Sequence, residues 1–244
     1  MEPDSSLQTF LKSSFLKQED ITAIHRKEKL FSRKNDVYRI EVQSMTGVKN
    51  YVLKQYKGRD RFSRAKNELF FYDLLGGDKL KVPGIYYSDR EVMVMEYMGS
   101  RTLLDYIIQE EDFARDKDIS GSKDYFGQLK HLAGAIRYIF GFNKRLKRMT
   151  GKSYVLNDMN HRNFLIYGLE VCRVDLEECR EGAVEEDIGK FIAFFLTYDP
   201  AFTEWKRSVA GSIKSFCRHR MDADISTIDR EIKKELERMT VRRK

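Results

Sequence analysis

Apolar and polar residues alternate with a period of two over residues 36–43 (DVYRIEVQ), where Tyr38, Ile40 and Val42 oppose Arg39, Glu41 and Gln43. That period predicts a half-buried strand. The segment MTGVKN turns it back into YVLKQY, a second strand in which Val52, Lys54 and Tyr56 share one face. The period then changes. In residues 61–75 (RFSRAKNELFFYDLL) Phe62, Ala65, Leu69 and Tyr72 recur at helical spacing, and Gly76-Gly77 ends the run. Residues 82–98 (VPGIYYSDREVMVMEYM) predict two more strands about a turn at 88–91.

Beyond Gly99 the pattern is helical. Thr102 with Asp105 caps a predicted helix at 103–110, and the charged stretch 111–122 reads as a loop. A long helix follows at 123–143, with Leu129, Leu132, Ala133, Ile136, Ile139 and Phe140 inward. Helices are predicted again near 184–197, 202–218 and 226–239. A short N-terminal helix at 7–18 carries Leu7, Phe10, Leu11 and Phe15 on one side. Its polar face is hardly basic, which gives a membrane-surface role little support. The change from strands to helices divides the chain into residues 1–98 and 99–244.

Composition narrows the class. A chain of 244 residues with 41% hydrophobic and 12% aromatic residues has enough apolar surface for a folded core. Cys172, Cys179 and Cys217 are too few and too scattered for a disulfide framework or a zinc site, which fits a reducing cytoplasm. No apolar run approaches the ~18 residues of a membrane span, and MEPDSSLQTF lacks the pattern of a signal peptide. The net charge of +7 suits an anionic ligand and is too small to argue nucleic acid.

The chemistry concentrates in residues 154–178, YVLNDMNHRNFLIYGLEVCRVDLEE. Tyr154, Val155 and Leu156 lead into a polar loop. Phe164–Tyr167, a turn at Gly168 and the run from Val171 to Val174 make a predicted hairpin. Antiparallel pairing brings Asn163 and Asp175 to one end of it. An amide oxygen and a carboxylate there are hard donors suited to Mg2+. Asp158, on the same loop, is placed to take a proton from a hydroxyl. Base and two metal ligands are the layout of phosphoryl transfer.

This order of residues, D-x4-N, then strand–turn–strand, then V-D-L-E, resembles the core of the protein-kinase-like superfamily. Within it, the match is to the aminoglycoside phosphotransferase, choline kinase and lipopolysaccharide (Kdo) kinase branch. DMNHRNFLI is similar to that branch's D-(L/I)-(N/H)-x-x-N-(I/V/F)-L-(I/V/L). VDLEECREGAVEEDIGKFIAF is similar to its I-D-x-E, then Gly, then D-(L/I)-(G/A). The resemblance runs from about Asp36 to Phe195. It implies an α+β, two-lobed protein-kinase-like fold, with an antiparallel sheet and one helix in the N-lobe and a mainly helical C-lobe. It also implies ATP and Mg2+ as cofactors.

By the same resemblance Lys54 positions the α- and β-phosphates and Glu68 orients Lys54. The alternatives from the residues alone are an edge-strand lysine for Lys54 and a surface partner of Arg64 for Glu68. Met95 would lie behind the adenine, with Glu96 to Met98 as the hinge. Asp187 secures the catalytic loop through backbone amides. Glu177 assists the metal or is an exposed acid. His161 and Arg162 meet an anionic sugar or face solvent. Two departures stand out. Leu156 and Asn157 occupy positions where the branch carries His-Gly or His-Arg. The segment LFSRKND has no glycine, which leaves residues 32–35 to cover the phosphates.

The expected activity is ATP- and Mg2+-dependent phosphorylation of a small-molecule hydroxyl by a cytoplasmic monomer or dimer, the acceptor being neutral or anionic. The candidates are an aminoglycoside, a choline-like alcohol or a lipopolysaccharide-core sugar. A compact atypical Ser/Thr protein kinase and a nucleotide-binding pseudokinase are the alternatives. The segment between Asp175 and Asp187, LEECREGAVEE, carries no Ser, Thr or Tyr and no Ala-Pro-Glu, which disfavours an activation loop and an extended peptide acceptor.

Overall fold

A computed structural model of the chain describes residues 15, 20–77, 79–117 and 125–242. The N-terminal helix expected at 7–18 lies outside the described residues except for Phe15, whose ring meets Tyr51 edge-on with centroids 5.2 Å apart. The chain divides into two compact units. One comprises the described residues up to Gly76 together with Val82–Met98; the other comprises Gly77–Lys81 and the described residues from Gly99 onward.

Among the described residues after Asp20, the first unit holds a five-stranded antiparallel sheet and one helix. Its strands are β1 (Ile21–Leu30), β2 (Asn35–Ser44), β3 (Gly47–Tyr56), β4 (Ile85–Ser88) and β5 (Val92–Glu96), in the order β1-β2-β3-β5-β4. The sequence pattern had not suggested β1. Ile21, Ile24 and Leu30 are its sparse apolar positions, most of it is exposed, and among the described residues it pairs only with β2. Tyr51 and Leu53 of β3, Ile40 and Val42 of β2, and Val92 and Val94 of β5 bury one face of the sheet. The register Lys54↔Val37 and Lys54↔Met93 puts Lys54 in the central strand. The edge-strand reading of this lysine is thereby excluded. Helix α1 (Arg61–Leu75) buries Ala65, Glu68, Phe71, Tyr72 and Leu75.

The second unit is mainly helical. Helix α2 (Leu103–Asp116) opens with the expected cap: Thr102 Oγ1 accepts the Asp105 N–H, and the Asp105 carboxylate accepts the Thr102 N–H. It runs six residues past the predicted end, to Asp116, because EEDFARD is rich in helix formers and buries Glu111 and Ala114. The long helix is shifted C-terminally. A short 3₁₀ turn occupies Tyr125–Gln128, and α3 spans Lys130–Thr150 before Gly151 ends it at φ +78°. Then follow β6 (Tyr154–Val155), β7 (Phe164–Tyr167), β8 (Glu170–Arg173), β9 (Arg180–Glu181), α4 (Val184–Thr197), α5 (Glu204–Met221) and α6 (Ile225–Arg242).

Helix α4 is the spine of this unit. Ile188, Phe191, Ile192 and Phe195 are fully buried along it. Gly189 lets α6 come close, since a Cβ there would sit 2.6 Å from Glu231 Cβ. Trp205 packs on Phe195 and is buried. Among the described residues from Ile21 onward, the fold is thus the kinase-like α+β order predicted from the sequence: an antiparallel sheet with one helix, then a mainly helical part. Among the described residues, no helix is long and apolar enough to cross a membrane.

Candidate active site

In the first unit the predicted residues meet. Lys54 Nζ lies 2.6 Å from Glu68 Oε2, and both side chains are buried. The reading of Glu68 as a surface partner of Arg64 fails on that burial. Arg64 turns instead to Asp60, to Asn35 Oδ1 at 2.8 Å and to the carbonyl of Lys57. A buried carboxylate is tolerated because it is paired and hydrogen-bonded. Asn35 is therefore committed to α1. Of the segment 32–35, expected to cover phosphates, its side-chain amide oxygen is already used. Ser32 Oγ accepts the Asn35 N–H at 3.2 Å within the β1–β2 turn.

The segment expected to form the hinge has a structural component that the sequence did not disclose. Met95 and Met98 are buried. The Glu96 N–H donates to the Gly84 carbonyl at 2.8 Å, and the Glu96 carboxylate accepts the Gly84 N–H at 3.1 Å. Its side chain thus staples the segment before β4 to the end of β5.

In the second unit the loop after β6 is built around Asp158. Its Oδ1 accepts the Asn160 N–H at 3.0 Å and its Oδ2 accepts from Asn163 Nδ2 at 2.9 Å. Both carboxylate oxygens are aimed by local donors. The hairpin β7–β8 pairs Phe164 with Arg173, and the Val174 N–H donates to the Asn163 carbonyl at 3.0 Å. Asn163 and Asp175 therefore lie at the same end of the hairpin. Asp175 adopts φ +64°, a conformation that Asp and Asn tolerate better than other side chains. Its carboxylate and that of Glu177 come within 4.8 Å of one another. Glu177 is buried, so the exposed-acid reading is wrong for it.

The backbone of this loop is anchored from α4. Asp187 accepts the N–H groups of Leu156 at 2.7 Å and Asn157 at 2.9 Å. Burial pushes its carboxyl up to about 6, against the lowering effect of those two donors. Lys190 Nζ donates to Asn157 Oδ1 at 2.5 Å, joined there by Arg180 Nε at 3.2 Å. Asn157 sits at φ +67°. Arg173, fully buried, donates through Nη2 to the carbonyls of Asp158 at 2.6 Å and Asp175 at 3.4 Å.

His161 corrects the expectation of a residue facing solvent or an anionic sugar. It is completely buried, with its ring 4.3 Å from that of Phe191 and 5.2 Å from that of Tyr198. Burial lowers its pKa to about 3, so it stays neutral. Arg162 is exposed. Tyr198 was not anticipated: its hydroxyl donates to Asn160 Oδ1 at 2.9 Å and accepts the His161 N–H at 3.1 Å. Lys190 and Arg173 were missed as well. Lys190 had one sequence signal, its place three residues after Asp187 on the same helix face.

The interval after Asp175 is short and tied down. Strand β9 pairs with β6 through Tyr154↔Glu181 and Val155↔Arg180, and the Gly182 N–H donates to the Ser153 carbonyl at 3.1 Å. In this unit the neighbouring Asp175 and Glu177 carboxylates offer oxygen ligands of the kind a hard divalent cation takes, and Asn163 stands at the same end of the hairpin.

No protein-family model matches the sequence, nor does any curated protein. Among solved structures, the chain is similar to ADP-bound aminoglycoside phosphotransferase APH(2'')-Ib, at 15% identity over 96% of this chain and 97% of that one, TM-score 0.48. It is similar to APH(2")-IIa with streptomycin and ATP, at 16% identity over 97% of each chain, TM-score 0.49. It is also similar to the Rio2 kinase of Chaetomium thermophilum in its ADP/Mg2+-phosphoaspartate complex, at 15% identity over 85% of this chain and 59% of that one, TM-score 0.44.

Proposed function

We propose that the chain is an ATP- and Mg2+-dependent phosphotransferase acting on a hydroxyl of a small molecule in the cytoplasm. The observation that carries this reading is Asp158, with each carboxylate oxygen aimed by its own donor and Asn163 bonded directly to it. A general base must be oriented before it is useful, and this one is. Asp158 orients the acceptor hydroxyl and takes its proton. Asn163 and Asp175, with Glu177 beside it, would hold Mg2+. Lys54 donates to phosphate oxygens, and Glu68 keeps its ammonium directed. Met95 lies behind the adenine, and Glu96 to Met98 serve as the hinge. Bound Mg-ATP supplies the phosphoryl group and the cation that neutralises its developing charge. Asp187, Lys190 and Arg173 act on the backbone and hold the base in register.

A small acceptor is favoured over an extended peptide because residues 176–186 form a pinned connection through β9, without a hydroxyl residue to phosphorylate. The exposed Arg162 beside Asn163 suits an acceptor with an anionic group. The test is ADP release from Mg-ATP across aminoglycosides, choline-like alcohols, core sugars and serine peptides. Transfer to a small hydroxyl compound is expected, and Asp158→Asn should reduce it by about 10²–10⁴-fold while ATP affinity holds. A residual rate above about a tenth would remove Asp158 from its role. Labelling of serine peptides alone would establish the atypical protein kinase instead, and nucleotide binding without any transfer the pseudokinase.

A further inference from the structure

The strand that carries Lys54 brings a second polar side chain to the same carboxylate. Tyr56 lies two residues on, so it leaves the sheet on the same face. Its hydroxyl donates to Glu68 Oε2 at 2.7 Å, the oxygen that Lys54 Nζ meets at 2.6 Å. The Tyr56 ring centroid is 5.0 Å from that ammonium, a cation–π distance. Lys54, Tyr56 and Glu68 are 5%, 1% and 0% exposed. The hydroxyl also lies 3.9 Å from Met93 Sδ. A phenol has one proton to give, and an ionised carboxylate at 2.7 Å takes it in preference to a thioether.

The arrangement bears on what happens when Lys54 works. An ammonium that turns to a phosphate oxygen loosens its bond to Glu68. In dry surroundings the carboxylate then loses a strong donor, and an under-bonded buried charge is costly. A second donor on the same oxygen offsets that cost and keeps the carboxylate where the lysine can use it. We propose that Tyr56 is a positioning residue for nucleotide binding, holding Glu68 in place while Lys54 reaches for phosphate. The inference rests on the phosphate-binding reading of Lys54.

The experiment is calorimetric titration of Mg-ATP into the wild-type chain, Tyr56→Phe, Glu68→Gln and the double variant, with KM and kcat measured alongside. Tyr56→Phe keeps the ring and removes only the donor. It should weaken ATP binding about tenfold, the size of one hydrogen bond to a charged group. KM for ATP should rise by the same factor, with kcat within about twofold. In the Glu68→Gln background Tyr56→Phe should add little, because the two act through one contact. Unchanged affinity in Tyr56→Phe overturns the inference. So does an equal loss with and without the Glu68 carboxylate, or a lowered melting temperature with affinity intact, since either marks a packing role. A wild-type chain that binds no ATP overturns the kinase reading and this inference with it, whereas wild-type binding that Tyr56→Phe leaves unchanged overturns the inference alone.

Discussion

Asp187→Asn separates two opposing effects on one buried side chain. The carboxyl is fully buried and titrates at about 6 instead of 3.8, although it accepts two N–H groups. Its folded-state pKa lies above the unfolded one, so the native protein holds this proton more tightly. The stability it contributes is fully present below pH 3.8 and is lost as pH rises through about 6. A shift of roughly two units corresponds to ~3 kcal/mol at pH 7. Asparagine does not titrate, so it avoids that loss. It brings its own cost, because its NH2 group faces one of the two backbone N–H groups and leaves a buried donor unpaired, ~1–3 kcal/mol. The variant should therefore be less stable than wild type by ~1–3 kcal/mol at pH 4, with the gap shifting by ~3 kcal/mol in the variant's favour by pH 7. Urea unfolding of both proteins at pH 4, 5, 6 and 7 gives the difference curve, in which all other titrations cancel. A flat curve, or one of opposite slope, would refute the reasoning. It would mean that the donors from Leu156 and Asn157 outweigh burial.

Two other substitutions address the site and the packing behind it. Asp175→Asn keeps a side chain that tolerates φ +64°, so the fold should persist while the Mg2+-dependent part of ATP affinity disappears; calorimetry with and without Mg2+ reads this, and undiminished dependence would move the metal site elsewhere. Gly189→Ala places a methyl 2.6 Å from Glu231 Cβ and 3.0 Å from the Ile228 carbonyl, which should cost ~1–3 kcal/mol in urea unfolding; a loss below ~0.5 kcal/mol would show that α4 and α6 part easily.

What could be read from the chain before its structure was known depended on the range of the interactions. The Lys54–Glu68 pair was legible through resemblance, helped by the unusual place of a lysine between apolar neighbours on a strand face. The clamp from Asp187 was legible through resemblance, and its hydrogen bonds run to Leu156 and Asn157 as expected. His161 was not legible. Its neighbours in sequence are polar, and the rings that bury it, Phe191, Phe195 and Tyr198, come from a helix and its end some thirty residues away. Tyr198 was hidden for the same reason. The end of α3 was written locally, in Gly151 after a basic last turn, and went unread because the apolar stripe was followed only as far as residue 143. Strand β1 left almost no apolar signature, since one side of its backbone is paired and most of its side chains face water.

Arg173 has a consequence in electrostatic terms. Its guanidinium is permanently charged and wholly enclosed, resting 4.8 Å from the centroid of the Phe164 ring. Among the described residues Nε and Nη1 have no hydrogen-bond partner. That charge lies directly behind the backbone of Asp158 and Asp175. Two carbonyls thus lean on one enclosed guanidinium, which ties the loop of Asp158 to the end of β8, so that freeing either carbonyl would leave a buried charge less well solvated.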